Sequence, residues 1–229
     1  MTVKTRLEKV KRRISDAAKD CGRSPESIKL VAVSKTVGSD RVGKAIDAGV
    51  TILGENYIQE AKEKFAALSD RPVKWHFIGH LQSNKAKYAV RMFDLIHSVD
   101  SIKLAKALDK EARKNAKVQD ILVQVNISRE ETKTGIDPSE ATDLISRIAD
   151  LDHIRVLGLM TMPPFFDDPE SARPFFQQLA ALKEKIKGHN IAGTQMDELS
   201  MGMTGDFEVA IEEGATLVRI GTAIFGERL

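Results

Sequence analysis

The sequence predicts an α/β protein built as a single (β/α)8 barrel of the TIM type over residues 1–229, with an extra helix at the N-terminus. Eight short apolar and β-branched runs alternate along the chain with amphipathic stretches of about ten to fifteen residues. The runs are almost continuously apolar, which is typical of parallel strands that helices cover on both faces. No linker rich in Pro, Gly or Ser and no block of charge divides the chain, so one domain is expected.

An amphipathic helix is predicted at the start of the chain. Leu7, Val10, Ile14 and Ala17 recur at helical spacing, and charged residues occupy most of the positions between them. We expect this helix to end near Cys21–Gly22, because glycine favours the left-handed conformation that commonly terminates helices.

The eight predicted strands are short and rich in apolar residues, many of them β-branched. In chain order they are Leu30–Val33, Thr51–Leu53, Trp75–Ile78, Leu95–Val99, Ile121–Ile127, Ile154–Met160, Leu199–Met201 and Leu217–Ile220. The stretches between them place apolar residues three and four positions apart, as amphipathic helices do. Examples are Val42/Ile46, Ile58/Ala61/Phe65, Leu104/Leu108/Ala112, Ala141/Leu144/Ile148 and Phe176/Leu179/Ile186.

Eight such units favour the barrel over an open, doubly wound sheet, which is the alternative architecture. No Gly-x-Gly-x-x-Gly follows the first strand, and no Gly-x-x-x-x-Gly-Lys-Ser/Thr occurs in the chain. Dinucleotide-binding and P-loop functions are therefore not expected.

Composition excludes several further classes of protein. The chain is 42% apolar and 30% charged, and no stretch reaches the roughly 20 apolar residues that a membrane helix needs. A net charge of +2 is too balanced for a dedicated nucleic-acid binder. The single cysteine, Cys21, suits a reducing compartment. We expect a cytoplasmic, monomeric protein with no nucleic-acid or membrane partner.

Lys35 is the first candidate for chemistry, because functional sites of such barrels lie at the carboxyl ends of the strands. It follows Val33 by two residues, so it points at the barrel mouth if the strand's valines point inward. A desolvated lysine amine is a nucleophile for aldehydes. Lys35 is therefore a candidate for a Schiff base, and an ordinary solvated lysine at a strand end is the alternative.

Two segments after the last two strands predict a phosphate site. Ser200–Gly205 and Arg219–Gly226 combine glycines with hydroxyl residues, and a helix is expected to start near Asp206. Backbone N–H groups and hydroxyls can converge there on an anion. The alternative is that these glycines simply turn the chain.

Arg219 shares a strand face with Leu217 and Gly221, which would aim a permanent cation into the barrel near the predicted phosphate site. A structural ion pair is the alternative for this arginine.

The histidines predict no metal site. On a strand, His76 and His80 would be separated by roughly 13 Å, too far to share one ion. His80 and Asn56 are placed to face the barrel mouth, whereas His97 and His153 are interpreted as ordinary core or surface histidines.

Taken together, the motifs resemble, nearly from end to end, the family of pyridoxal phosphate homeostasis proteins, which are built like the barrel domain of alanine racemase. This is the fold-type III barrel of proteins that bind pyridoxal 5'-phosphate (PLP). The segments that carry the resemblance are Leu30–Lys35, Gly54–Tyr57, Trp75–Gln82 with Asn84–Lys85, Gly158–Met160, Leu199–Met203 with Asp206, and Val218–Gly226.

The resemblance implies a cofactor, PLP, carried by Lys35 as a Schiff base. It also implies that Arg219 faces the pyridine nitrogen and that Asn56 and His80 lie around the ring. The phosphate would be held by Ser200, Gly221 and Thr222 with the backbone of Met201. No catalytic residue and no metal ligand is assigned.

The predicted function is that of a PLP carrier and buffer that supports vitamin B6 and amino-acid homeostasis without strong catalysis. A guanidinium cannot protonate the pyridine nitrogen, which leaves the ring a poor electron sink. A racemase would also need a second base on the opposite face of the cofactor. In the alanine racemases that the barrel resembles, this base is a tyrosine, and the sequence contains only Tyr57 and Tyr88.

Alternative functions are a weak PLP-dependent racemase or decarboxylase, a cofactor-free Schiff-base lyase acting on sugar phosphates, and a module that binds PLP enzymes. Apo PLP-dependent enzymes are the expected recipients of the cofactor. Lys133 in the Glu130–Gly135 loop is a second amine that could react with free aldehyde, although a solvated loop lysine is the preferred interpretation.

Overall fold

A closed barrel of eight parallel strands forms the centre of the structure, a computed structural model that describes residues 1–130 and 133–227. Each strand pairs with the next in chain order, and the last pairs with the first. The strands are β1 (Lys29–Val33), β2 (Ile52–Glu55), β3 (Lys74–Phe77), β4 (Leu95–Val99), β5 (Gln119–Gln124), β6 (Ile154–Met160), β7 (Thr194–Ser200) and β8 (Leu217–Ile220). The predicted barrel is confirmed, and the open sheet is excluded.

Helices surround the barrel and bury their apolar faces against the outer face of the strands. In the described part of the chain they are α1 (Val3–Asp20), α2 (Ser39–Asp47), α3 (Ile58–Ala67), α4 (Ala86–Met92), α5 (Ile102–Lys114), α6 (Ala141–Ala149), α7 (Arg173–Gly188), α8 (Phe207–Glu212) and α9 (Thr222–Phe225). None of these helices is both long enough and apolar enough to cross a membrane. Residues 228 and 229 of the predicted domain lie outside the described residues.

The N-terminal helix α1 completes the helical layer beside α8 and the short α9, against which it packs. Arg13 forms an ion pair with Glu208 at 2.5 Å and lies over the ring of Phe207. The helix ends at Asp20, and Gly22 follows with a φ of 73°. Gly22 therefore adopts the left-handed conformation that commonly terminates helices, and α1 ends where the sequence predicts.

The barrel interior combines apolar and polar side chains that alternate along the same strands. Leu95 and Leu217 belong to an apolar interior cluster, and His97 and Arg219 follow them at two-residue spacing on β4 and β8. The polar residues are therefore also directed inward. The apolar cluster comprises Val31, Ile52, Leu95, Leu122, Met160 and Leu217.

The strand β5 ends earlier than predicted, at Gln124 instead of Ile127. The chain beyond it turns to a different partner, because Val125 forms an isolated parallel bridge with Ile136. Apolar residues continue past the strand end, so their pattern alone did not mark the boundary.

The strand β7 begins earlier than predicted, at Thr194 instead of Leu199. Its first half alternates between exposed and buried positions and carries polar residues. One of these, Glu198, accepts hydrogen bonds from Lys29 and Thr216. A search for apolar runs misses such a strand start because its side chains pair with polar neighbours.

Gly158 lies at an irregularity in β6 where the register shifts against both neighbouring strands. Its φ is 157°, and a Cβ atom placed on it would lie 1.9 Å from the carbonyl oxygen of Glu198. The close approach of the β6 and β7 backbones therefore requires a residue without a side chain.

Replacing Gly158 with alanine should lower the free energy of unfolding by about 3 kcal/mol, because the new methyl group forces the hydrogen-bonded strands β6 and β7 apart. Urea unfolding of G158A and wild type measures the difference. G188A is the matched control, since a Cβ at the end of α7 meets no atom of the described residues within 4 Å. Equal stability of G158A and G188A would contradict this interpretation.

Candidate functional site

A cavity of about 620 Å³ opens at the carboxyl end of the barrel. Its volume is in the usual range for small-molecule sites. It lies at the end of the barrel that carries functional sites in this architecture. The residues that line it include Val33, Lys35, Thr36, Arg41, Asn56, Ile78, Met162, Phe165, Phe166, Met203, Thr204, Gly205, Asp206, Arg219, Gly221 and Thr222.

Lys35 lies in this cavity, just beyond the end of β1. Val31 belongs to the interior cluster, and Val33 and Lys35 both line the cavity, so the three side chains share one direction. This is the geometry that the two-residue spacing predicted. The Lys35 side chain is half-buried at the rim, where a ligand in the cavity can reach it.

Arg219 also contacts the cavity, but its side chain is buried within the barrel, with 3% of its surface exposed. Its guanidinium donates to the hydroxyl of Ser200 at 2.6 Å and to the carbonyl oxygen of Thr161 at 2.8 Å. Burial lowers the pKa of Arg219 to about 10, while the nearby Asp206 acts in the opposite direction. The group is therefore a cation at neutral pH.

A chain of hydrogen bonds continues from Arg219 into the barrel. Ser200 Oγ lies 2.8 Å from His97 Nδ1, and His97 Nε2 lies 2.9 Å from His76 Nδ1. Ser200 Oγ accepts a hydrogen bond from Arg219, so the hydroxyl hydrogen of Ser200 can point to His97 Nδ1. His97 Nε2 then carries a hydrogen and donates it to His76 Nδ1. This assignment leaves both imidazoles neutral.

Burial also keeps these two histidines neutral. The pKa of His76 is lowered to about 3, chiefly by burial and further by Lys74 and Lys29. The pKa of His97 falls well below its ordinary value for the same first reason, with His76 and Arg219 adding to the effect. The sequence interprets His97 as an ordinary core or surface histidine, and the structure buries it in the core. Its two-residue spacing from the inward Leu95 is the signal that it faces the barrel interior.

Asp206 is a cavity carboxylate that the predicted set of site residues does not include. Its Oδ1 accepts a hydrogen bond from the backbone N–H of Met203 at 2.6 Å. Burial raises the pKa of Asp206, and the Met203 bond and Arg219 counteract that rise. Its position just before α8 marks it as a residue that shapes the loop after β7.

The loop after β7 and the start of α9 meet at one side of the cavity. The hydroxyls of Thr204 and Thr222 lie 3.3 Å apart, and Gly205 and Gly221 line the cavity beside them. Gly202 turns the first of these loops with a φ of 89°, and a Cβ there would lie 2.6 Å from that of Ala210. Hydroxyl groups therefore converge where the sequence predicted a phosphate site.

Two predicted phosphate residues lie beneath the cavity instead of lining it. Ser200 is fully buried, and its hydroxyl contacts His97 and Arg219. Met201 is also buried, and its backbone N–H donates to the carbonyl oxygen of Leu217 at 3.2 Å. Ser200 fixes Arg219, and Met201 contributes to the pairing of β7 with β8.

Asn56 lines the cavity, whereas His80 does not. The Oδ1 atom of Asn56 is buried without a hydrogen-bond partner among the described residues. Gly79 packs against the Asn56 backbone, since a Cβ there would lie 2.3 Å from the Asn56 carbonyl oxygen. His80 is exposed and lines a separate depression with Asp100.

Within the described residues, no group of three or more His, Cys, Asp or Glu side chains is arranged to hold a metal ion. His76 lies inside the barrel and His80 on its surface. Lys133 is 3.3 Å from the carboxylate of Glu130 and does not line the cavity. The neighbouring residues 131 and 132 lie outside the described residues.

Comparison with known families and proteins finds a match along almost the whole chain. The family described as "Alanine racemase, N-terminal domain" matches residues 6–229. The "Pyridoxal phosphate homeostasis protein" of Aquifex aeolicus is 46% identical over 224 residues, which cover 97% of each chain. The protein of the same name from Escherichia coli K12 is 41% identical over 229 residues, covering 97% of this chain and 95% of that one.

Solved structures agree with the sequence matches. PipY of Synechococcus elongatus, solved with PLP bound, superposes with a TM-score of 0.86 at 33% identity and covers 98% of this chain and 100% of its own. Alanine racemase of Clostridium difficile superposes with a TM-score of 0.73 at 16% identity. That match covers 95% of this chain and 59% of the racemase, and it shows a shared fold.

Acidification should destabilise the protein through His76. The unfolded chain binds a proton near the ordinary pKa of 6.5, whereas the folded state resists protonation until about pH 3. Stability is therefore lost as the pH falls through this window. At pH 5 the loss attributable to His76 is about 2 kcal/mol relative to pH 8.

His76→Asn retains a hydrogen-bonding group near the imidazole Nδ1 and removes the titration, so it should lose about 2 kcal/mol less between pH 8 and pH 5. Urea unfolding at both pH values measures this difference. The exposed His189→Asn variant is the control and should follow wild type. An identical pH dependence in H76N and wild type would show that His76 does not titrate in this way.

Proposed function

Because the chain belongs to the family of pyridoxal phosphate homeostasis proteins, we propose that it binds PLP through Lys35 and carries and buffers the cofactor. The observation that carries the proposal is the placement of Lys35 and Arg219 in one cavity at the carboxyl end of the barrel. This placement provides an amine for an aldehyde and a fixed cation for a ring nitrogen.

The residues of the cavity fit a phosphorylated pyridine aldehyde. The volume of about 620 Å³ accommodates a small cofactor. The Oδ1 of Asn56, which has no partner among the described residues, is an acceptor available to a ligand donor, such as a ring hydroxyl. Phe165 and Phe166 provide apolar surface on the side of the cavity formed by the loop after β6.

Each part of the ligand has a partner in this arrangement. The aldehyde and the nitrogen of PLP lie at opposite ends of its ring, matching Lys35 at the rim and Arg219 at the base of the cavity. The amine of Lys35 condenses with the aldehyde, and one water molecule leaves. We assign the phosphate to Thr222, Gly221 and the Thr204–Gly205 segment, whereas Ser200 holds Arg219, the partner of the ring nitrogen.

The same arrangement supports binding without strong catalysis. When bound, PLP supplies an electron sink for chemistry at the α-carbon of amino acids, and protonation of its nitrogen strengthens that sink. Arg219 donates hydrogen bonds but retains its protons at neutral pH. Both tyrosines lie in the described part of the chain, and neither Tyr57 nor Tyr88 lines the cavity to act as an opposing base.

A weak PLP-dependent racemase or decarboxylase is the second candidate, favoured by the barrel that the chain shares with alanine racemase. Exchange of the α-proton of amino acids at enzymatic rates in deuterated water would favour it. We further propose that the protein is a cytoplasmic monomer and that apo PLP-dependent enzymes receive the cofactor from it.

Borohydride reduction of the protein with PLP should attach the cofactor to Lys35, because reduction makes the Schiff base permanent. Peptide mass spectrometry identifies the modified lysine. Lys35→Ala should lose both the label and the yellow colour of the imine, whereas Lys133→Ala should keep both. Labelling that is absent, scattered over several lysines or concentrated on Lys133 would overturn the assignment of Lys35.

A further inference from the structure

The backbone immediately after Lys35 has an unusual conformation. Thr36 has a φ of 63°, in the left-handed region that β-branched residues strongly avoid. Its hydroxyl donates to the carbonyl oxygen of Lys35 at 2.6 Å. Such a conformation persists only where surrounding contacts hold it, and these conformations concentrate at functional sites.

One of these contacts comes from α3. The backbone N–H of Thr36 donates to the Glu60 carboxylate at 2.8 Å. Glu60 is separated from Thr36 by the whole of α2 and β2, so a tertiary contact fixes the residue after Lys35.

A second set of contacts fixes the residue before Lys35. The ammonium group of Lys64, one turn beyond Glu60 on α3, donates to the carbonyl oxygen of Ser34 at 2.5 Å. It also donates to Glu55 Oε1 at 2.7 Å, and the Ser34 hydroxyl donates to the same carboxylate oxygen at 2.5 Å. The carbonyl oxygen and the hydroxyl of Ser34 therefore both form hydrogen bonds with these two charged side chains.

The three charged residues form one connected group. Lys64 Nζ lies 3.5 Å from Glu60 Oε2, so the ammonium is shared between the two carboxylates. The Lys64 and Glu55 side chains are almost fully buried, and burial raises the pKa of Glu55 against the hydrogen bonds from Lys64 and Ser34. Charged hydrogen bonds in such a dry site are short and directional, which suits them to fixing a backbone.

We propose that Glu55, Glu60 and Lys64, here called the α3 clamp, are positioning residues that hold the backbone on both sides of Lys35 and aim its amine into the cavity. The proposal rests on the proposed function of Lys35. Three hydrogen bonds of the clamp end on Ser34 and Thr36, so its loss acts first on the Lys35 segment. The clamp governs condensation with the aldehyde, whereas noncovalent binding depends on the cavity walls.

Glu60→Ala tests the clamp, because it removes the acceptor for the Thr36 N–H from a partly exposed side chain. The rate of imine formation with PLP, followed by stopped-flow absorbance, should fall about tenfold, since misplaced reacting groups condense slowly. Affinity for pyridoxine 5'-phosphate, an alcohol that forms no imine, should remain within about twofold of wild type by calorimetry.

Two further variants separate positioning from general destabilisation. Glu60→Gln keeps an oxygen acceptor for the Thr36 N–H, so its rate of imine formation should be close to that of wild type and well above that of E60A. Glu63→Ala, on the exposed face of α3, is the matched control and should condense at the wild-type rate.

The double variant Glu55→Gln/Lys64→Met removes the other half of the clamp without leaving an unpaired buried charge, and it should also condense slowly. It provides the test if E60A does not fold. Condensation at the wild-type rate in a folded E60A or in the double variant would overturn the clamp, while the proposed function would stand. Failure of wild type to attach PLP at Lys35 would instead overturn the proposed function.

Discussion

The burial of Arg219 inside the barrel constrains the rest of the site. A guanidinium with 3% of its surface exposed needs hydrogen-bond acceptors inside the protein. Ser200 and the Thr161 carbonyl oxygen supply them, and Ser200 is fixed in turn by His97. Burial keeps the adjoining histidines neutral, and the positive charge of Arg219 adds to this effect at His97. Arg219 thereby fixes the hydrogen-bonding role of Ser200 and, through Ser200, that of His97 beneath the cavity.

The site is divided between a rigid base and a rim. The base consists of side chains on strands, whose positions are set by the closure of the barrel. The rim consists of loops, where Lys35 and Thr36 follow β1 and the Thr204–Gly205 segment follows β7. Loops carry ligand-binding groups in such barrels because the strands beneath them hold the loop ends at fixed separations. The α3 clamp extends this rigidity to the loop that carries Lys35.

The sequence was sufficient to predict the barrel and the positions of Lys35 at its mouth and of Arg219 in its interior, because all three depend on the two-residue periodicity of strands and on the alternation of strands with helices. It was insufficient for groups whose roles depend on contacts between distant segments. Ser200 is 103 residues from His97, and no local pattern shows that their side chains meet. His80 lies just beyond a strand, where a change in chain direction takes it away from the cavity. Tertiary contacts of this kind are not encoded in spacing.

A crystal structure of the protein with PLP bound tests the central claim most directly. We predict continuous electron density between Lys35 Nζ and the aldehyde carbon of the cofactor. We also predict that the pyridine nitrogen lies within hydrogen-bonding distance of the Arg219 guanidinium. A cofactor bound outside the cavity, or bound within it with its nitrogen directed away from Arg219, would contradict the account.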